Sequence, residues 1–223
     1  LGLDNDIFCF NVESLAELEV INELAAAKQK VASVALRINP EVDAHTHAKI
    51  TTGMKENKFG INLGKLQGVM DRLTQMEHIK LIGIHCHIGS QITDMSAFRN
   101  LTIRINEIQE ELEARGITVP NLNLGGGLGI DYYHPNHLSI PSFDNYFAAI
   151  HHLLEQRPGQ QVHFEPGRSI VAQCGTLISR VLYVKEGDTK RFAILDAGFT
   201  ELIRPAMYDA YHRIENISSD EPV

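Results

Sequence analysis

The sequence predicts an α/β domain on a parallel sheet, a large part of a (β/α)8 barrel. Three observations predict it. Short β-branched or apolar runs alternate with longer stretches of helical period. Polar or glycine-rich motifs follow the ends of successive apolar runs, where a barrel gathers its ligand-binding loops. The 223 residues suffice for one large domain with a substantial core.

The elements follow in order. Ile7 to Phe10 reads as a strand, Asn11 to Ser14 as a turn and cap, and Leu15 to Lys28 as an Ala-rich helix. Val31 to Ile38 is a second strand. The polar stretch from Asn39 to Asn57 is long for a simple connection, which points to function. Lys65 to Met76 is a helix and Ile79 to His85 a strand. Met95 to Arg115 is a long helix closed by Gly116. Val119 to Leu124 is a strand, Phe143 to Gln156 a helix, and Gln161 to Phe164 a strand. That makes about five βα units, where a closed barrel of eight takes roughly 250 residues, so the first units are expected to be missing. Ile170 to Val184 and Arg191 to Asp196 are rich in Val, Ile and Leu with no clear helix between them. The expected division is a barrel over 1–170, then the last barrel strand and the beginning of a C-terminal β domain over 171–223.

Composition narrows the function classes. With 43% hydrophobic and 22% charged residues, the chain is ordinary globular protein. A formal charge of −8 argues against binding nucleic-acid backbones, which needs a basic face. No apolar run approaches the roughly 20 residues that span a bilayer, so no membrane partner is expected. Cys9, Cys86 and Cys174 are odd in number and far apart, which argues for a reducing cytoplasm rather than a disulfide framework.

The chemistry-bearing residues sit after successive strands. Arg37 lies near the end of the second, HCHIGSQ (His85 to Gln91) follows the third, GGGLG (Gly125 to Gly129) the fourth, and EPGRS (Glu165 to Ser169) the fifth. In a parallel barrel all four share the C-terminal rim. The glycines let backbone N–H groups approach an anion, and they serve equally well as a tight strand-to-loop turn with no ligand. His85 and His87 face one side of a strand, a geometry open to a metal, although no third ligand stands nearby in sequence. A flat imidazole against a cofactor ring is the better use for His87, with a satisfied strand-end histidine as the alternative. Ser90 beside Gly89 suits a phosphate oxygen. Glu165-Pro166-Gly167-Arg168 sets a carboxylate and a guanidinium three residues apart across a rigid turn. They are either a surface ion pair or a carboxylate for a cationic ring nitrogen with an Arg for a phosphate or carboxylate. His45, His47, His151 and His152 read as surface residues.

HCHIGSQ, LGGGLGI and EPGRSIVA, with LRINPEVDAHTHAKITTG and KFGI, closely resemble the diaminopimelate decarboxylases of the alanine-racemase-like pyridoxal-phosphate (PLP) enzymes, over essentially the whole chain. The resemblance implies a PLP-binding (β/α)8 barrel that decarboxylates meso-2,6-diaminopimelate to L-lysine and CO2. It implies that His87 stacks on the cofactor ring, that Ser90 and the amides of Gly125, Gly126 and Gly127 hold its phosphate, and that Glu165 pairs with the pyridine nitrogen. Pro166 and Gly167 belong to the same cofactor turn, and Arg168 would meet phosphate or a substrate carboxylate. Arg204 and Tyr208, in ELIRPAMY, would grip the distal end of the amino-acid substrate, an Arg being suited to a planar carboxylate. Lys58 in KFG would serve a homodimer interface across which active sites are shared.

The resemblance also implies what this chain lacks. The family's Schiff-base lysine lies upstream of residue 1, and none of Lys28, Lys30, Lys49, Lys55, Lys58, Lys65, Lys80, Lys185 or Lys190 stands in the matching motif. The Cys-Glu motif that acts across the dimer would lie beyond Val223. The chain alone is therefore expected not to turn over. Rival readings are a sister decarboxylase of ornithine, arginine or carboxynorspermidine, a racemase of the same fold, a non-catalytic PLP-binding protein, and a barrel piece with no ligand. A cationic distal group would want an acid where Arg204 stands, and a protein without turnover would have no need of Arg204.

Overall fold

A computed structural model describes residues 1–42, 58–135 and 142–218. Most of the polar stretch after Asn39, including His45, His47, Lys49 and Lys55, lies outside the described residues. The chain divides into two compact units, Leu1–Gly129 with Pro141–Ser169, and Ile130–Ile140 with Ile170–Val223.

The first unit carries the parallel sheet. Its strands are β1 (Phe10–Val12), β2 (Ala32–Asn39), β3 (Ile61–Asn62), β4 (Ile79–His85), β5 (Asn121–Gly126) and β6 (Gln161–Glu165). The order is β1-β2-β4-β5-β6, with β3 paired to the end of β2, and every pairing is parallel. Helices α1 (Leu15–Ala27), α2 (Leu63–Leu73), α3 (Met95–Glu113) and α4 (Phe143–His151) supply the crossovers. This is the α/β fold class that the alternation predicts. β2 is covered on both faces, as a parallel strand is: Val34 and Leu36 on one face and Ala35 on the other are all buried.

Local chemistry explains the helix ends. Ser14 caps α1 by accepting the Glu17 N–H, while the Glu17 carboxylate accepts the N–H of Glu13, a reciprocal arrangement of the capping-box kind. Asp94 and Ser142 cap α3 and α4 through Ser96 and Asn145. Gly116, at φ +75°, stops α3 with the Ile117 N–H bonded to Leu112 O and its own N–H to Glu113 O, a Schellman closure. Leu101, Ile105, Ile108 and Leu112 make the buried stripe of α3 at helical spacing.

Several expectations change, among them the helix Lys65 to Met76, which runs Leu63–Leu73, and the strand Val119 to Leu124, which runs Asn121–Gly126. The first strand is Phe10–Val12 rather than Ile7 to Phe10; Asp6 takes a left-handed turn, and Ile7 and Phe8 remain exposed. Helix α4 stops at His151 instead of Gln156. Asn106 on α3 donates to Leu153 O at 2.8 Å and accepts the Glu155 N–H at 3.0 Å, drawing those backbone groups away from the helix. A short helix, α5 (Gly167–Val171), begins directly in the EPGRS motif.

The second unit holds β7 (Val181–Glu186) and β8 (Arg191–Leu195), an antiparallel pair in a sheet of its own, and the short helix α6 (Arg204–Tyr208). Among the described residues no helix is long and apolar enough to cross a membrane. All three cysteines are free thiols. Burial pushes the Cys86 thiol up to about 12, so it is no nucleophile at neutral pH.

Candidate active site

The site is built where β4, β5 and β6 end. Strand register sets Arg37 of β2 beside His85 of β4, His85 beside Asn123 of β5, and Asn123 beside His163 of β6. One polar row thus crosses four strands near their C-terminal ends. Glu165, the last residue of β6, pairs in register with Gly126.

Glu165 is the charged centre. Its Oε1 accepts from Asn123 Nδ2 at 2.9 Å. The amide of Asn123 is fixed in that sense because its Oδ1 accepts the Gly125 N–H at 2.9 Å. The other oxygen, Oε2, stands 3.5 Å from His85 Nε2. These neighbours, His85 foremost and against the opposing effect of burial, hold the Glu165 carboxyl down at about 2, so it is ionised at any physiological pH. Its side chain keeps 44% of its surface exposed, which leaves an open face for a cationic partner.

His87 is the counterpart. Its Nδ1 accepts the Gly126 N–H at 3.3 Å. Burial first, then the nearby charges of Arg37 and His85, lower it to about 4, so the ring is neutral at pH 7. Arg37 is itself anchored: its NH1 pairs with Glu13 Oε1 at 2.5 Å, and its guanidinium lies over the Phe59 ring at 5.1 Å. Glu13 Oε2 also takes the Gly60 N–H at 3.1 Å, joining the loop after β1 to the one before β3.

The three glycines have a packing reason. A Cβ on Gly125, which sits at φ +66°, would press into the Cys86 carbonyl; one on Gly126 would overlap the Glu165 carbonyl; one on Gly127, at φ +104°, would press into the Gly89 carbonyl. The backbones of the neighbouring strand ends occupy the space of all three side chains. The N–H groups of Gly125 and Gly126 have side-chain acceptors, Asn123 Oδ1 and His87 Nδ1. Ser90 Oγ lies 3.0 Å from Arg168 NH2, so the second and fourth motifs meet through a hydroxyl and a guanidinium. Between Glu165 and Arg168, the Pro166 carbonyl accepts both the N–H and the hydroxyl of Ser169, and Gly167 carries a φ of +22°.

The first unit therefore brings His87, Ser90, the glycines, Glu165, Pro166, Gly167 and Arg168 together. Arg204 and Tyr208 belong to the second unit, four residues apart on α6 and so on one helix face. There Arg204 NH1 lies 3.1 Å from His212 Nε2, and its guanidinium sits 4.4 Å from the centre of the Tyr132 ring. Sequence reasoning missed Asn123 and the use of His85. Their meaning comes from register, which sets His85 of β4 beside Asn123 of β5. Among the described residues no group of three or more His, Cys, Asp or Glu is placed to hold a metal ion.

The two shifted groups predict the acid stability of the ligand-free protein. Unfolded, His87 takes up a proton near pH 6.5; folded, it resists until about 4. Glu165 behaves in the same sense between 4.5 and about 2. In both windows the unfolded chain binds more protons, so stability falls as pH drops, first through His87 and then through Glu165. Urea unfolding is expected to lose about 2 kcal/mol between pH 7 and 4.5, and His87→Gln to remove most of that slope. An identical slope in the variant counts against the half-buried neutral ring.

Comparison with known proteins bears on this arrangement. Residues 2–172 match the family model described as pyridoxal-dependent decarboxylase, pyridoxal binding domain. A curated diaminopimelate decarboxylase of Bacteroides thetaiotaomicron is 62% identical over 223 residues, all of this chain and 58% of that protein. One of Haemophilus influenzae is 43% identical over 97% of this chain and 51% of its own length. Among solved structures, the Helicobacter pylori diaminopimelate decarboxylase complexed with L-lysine is 37% identical, with a TM-score of 0.86 over 95% of this chain and 52% of that one. The chain thus spans about half the length of the proteins it matches.

Proposed function

This chain belongs to the pyridoxal-dependent decarboxylase family, and from that premise we propose that the protein removes CO2 from meso-2,6-diaminopimelate to give L-lysine, with PLP as cofactor. The observation that carries the proposal is the pair of groups on one rim: an ionised Glu165 with an open face and a neutral, half-buried His87. They fit a flat cationic ring, the carboxylate for its nitrogen and the imidazole for its face. The glycine cradle and the Ser90–Arg168 pair fit the phosphate.

When bound, PLP supplies an electron sink for the pair left behind by the departing carboxylate. Glu165 keeps a proton on the ring nitrogen through a charge that its neighbours sustain. His87, neutral and donor-bound at Nδ1, packs without adding a competing positive charge. Ser90, Arg168 and the glycine backbone hold the phosphate. Arg204 and Tyr208 read the distal carboxylate of the substrate. The Schiff-base lysine is assigned to no residue of this chain. A cytoplasmic homodimer with shared active sites completes the proposal.

The test is CO2 release by the intact protein with added PLP, from meso-diaminopimelate beside ornithine and arginine. Release from diaminopimelate alone supports the substrate and the role of Arg204. Release from ornithine or arginine instead keeps the cofactor site and overturns the distal reading. Release from none of the three, with no PLP bound, overturns the proposal.

A further inference from the structure

We infer that His85 is a positioning residue for Glu165, giving its Nε2–H to the carboxylate so that Asn123 and His85 together fix both oxygens toward the ring nitrogen. The inference rests on the reading of Glu165 given above. It comes from a side chain that the sequence left without a role.

His85 is 4% exposed at the very end of β4. Among the described residues neither ring nitrogen has a hydrogen-bond partner; the polar atom within reach is Glu165 Oε2, at 3.5 Å from Nε2. A buried polar ring without a partner is expensive, and apolar side chains fill the neighbouring positions of β4, such as Ile82 and Ile84, without that expense. Retaining a histidine makes sense if the contact with Glu165 is used. Glu165 needs it: its carboxylate is half exposed, on the last residue of β6, and one bond from Asn123 leaves rotation about the carboxyl plane free. A second donor on the other oxygen removes that freedom and leaves the outward lone pairs for the ligand. His85 touches neither end of the substrate in this scheme; it acts through Glu165. The depressed acidity of Glu165, to which His85 is the largest contributor, agrees with such a bond.

The inference separates two substitutions that a merely structural role would treat alike. His85→Gln keeps an N–H near the position of Nε2, and His85→Leu fills the space without one. The first readout is made on the intact protein before any PLP is added, by carbon-13 NMR of the Glu165 carboxyl group. His85→Leu is expected to return its titration to the ordinary carboxylate range, near pH 4, while His85→Gln keeps it well below. The second needs no substitution at position 85. Nitrogen-15 NMR of the native ring is expected to show Nε2 protonated, with the signal shifting in Glu165→Gln. After PLP is added, absorbance titration is expected to show about tenfold weaker binding in His85→Leu and recovery in His85→Gln. A Glu165 carboxyl that titrates identically in all three proteins, or a native ring protonated at Nδ1, overturns the inference. Those two readings are taken without PLP, so their failure leaves the cofactor assignment standing. A protein that never binds PLP overturns the cofactor assignment and leaves the His85–Glu165 bond to be judged on its own.

Discussion

Replacing Gly126 with alanine is expected to destabilise the intact protein by more than about 3 kcal/mol, a fall in Tm of roughly 6 °C or more. The cause is steric and lies in the backbone. The added Cβ would overlap the Glu165 carbonyl oxygen and approach its carbonyl carbon at 2.7 Å. A flexible side chain would swing away, but these atoms belong to β6, which is paired with β5 at this residue. Relief requires the two strand ends to part. Parting also moves the Glu165 carboxylate off Asn123 and frees the Gly126 N–H from His87, so the loss of stability and the loss of the site come together. Gly64 and Gly68 provide the contrast. Both lie on α2 with nothing within 4 Å of an added Cβ, and neither has a positive φ. Alanine there is expected to stabilise by up to ~1 kcal/mol through helix propensity. Thermal melts of the three variants decide it. A Gly126→Ala protein that melts within a degree or two of the native one removes the claim that the cradle is packed shut by its neighbours.

How much of this was legible in the sequence follows from where the information resides. β4 is readable to the residue because its apolar run ends against a polar motif, and α3 is readable to within two residues because Gly116 closes it. The end of α4 was not readable: Asn106, more than forty residues earlier, takes the backbone groups that would have continued the helix. The first strand was misplaced because Ile7 and Phe8 look like strand residues, yet register with Val34 to Leu36 begins only at Phe10. The motifs pointed to His87, Ser90, the glycines, Glu165 and Arg168, since each stands in a run that breaks local periodicity. Asn123 stands inside β5 and His85 ends β4, and their meaning depends on which strand lies beside which. That is a property of register across β4, β5 and β6, which no local pattern carries. The glycines show the same limit in another form. Their spacing suggested an anion cradle or a tight turn, and the structure adds that the carbonyls of Cys86, Gly89 and Glu165 already exclude a side chain there.

Glu165→Gln is expected to reduce kcat/KM of the intact, PLP-loaded protein by about a hundredfold or more while leaving phosphate-side binding largely in place. The replacement keeps shape and removes charge. An amide cannot hold a proton on a ring nitrogen as a carboxylate does, so the cofactor, when bound, would supply a weaker electron sink. Ser90 and Arg168 meet each other without help from Glu165, so the groups assigned to the phosphate remain arranged. Affinity should therefore change less than rate, and the loss should fall mainly on kcat. The amide also has an orientation problem. Its oxygen can keep the bond from Asn123 Nδ2, but its NH2 then faces His85 Nε2, where the carboxylate had an acceptor. If His85 offers a proton there, donor meets donor, at a cost of about 1 kcal/mol. The variant should consequently melt slightly lower at pH 7 and lose less stability between pH 4.5 and 2, because the group that titrated in that window is gone. Absorbance of bound PLP across pH checks the ring nitrogen directly, and steady-state kinetics check the rate. A variant that retains kcat within about threefold, with the ring nitrogen still protonated at neutral pH, would remove Glu165 from the chemistry and leave it a structural carboxylate.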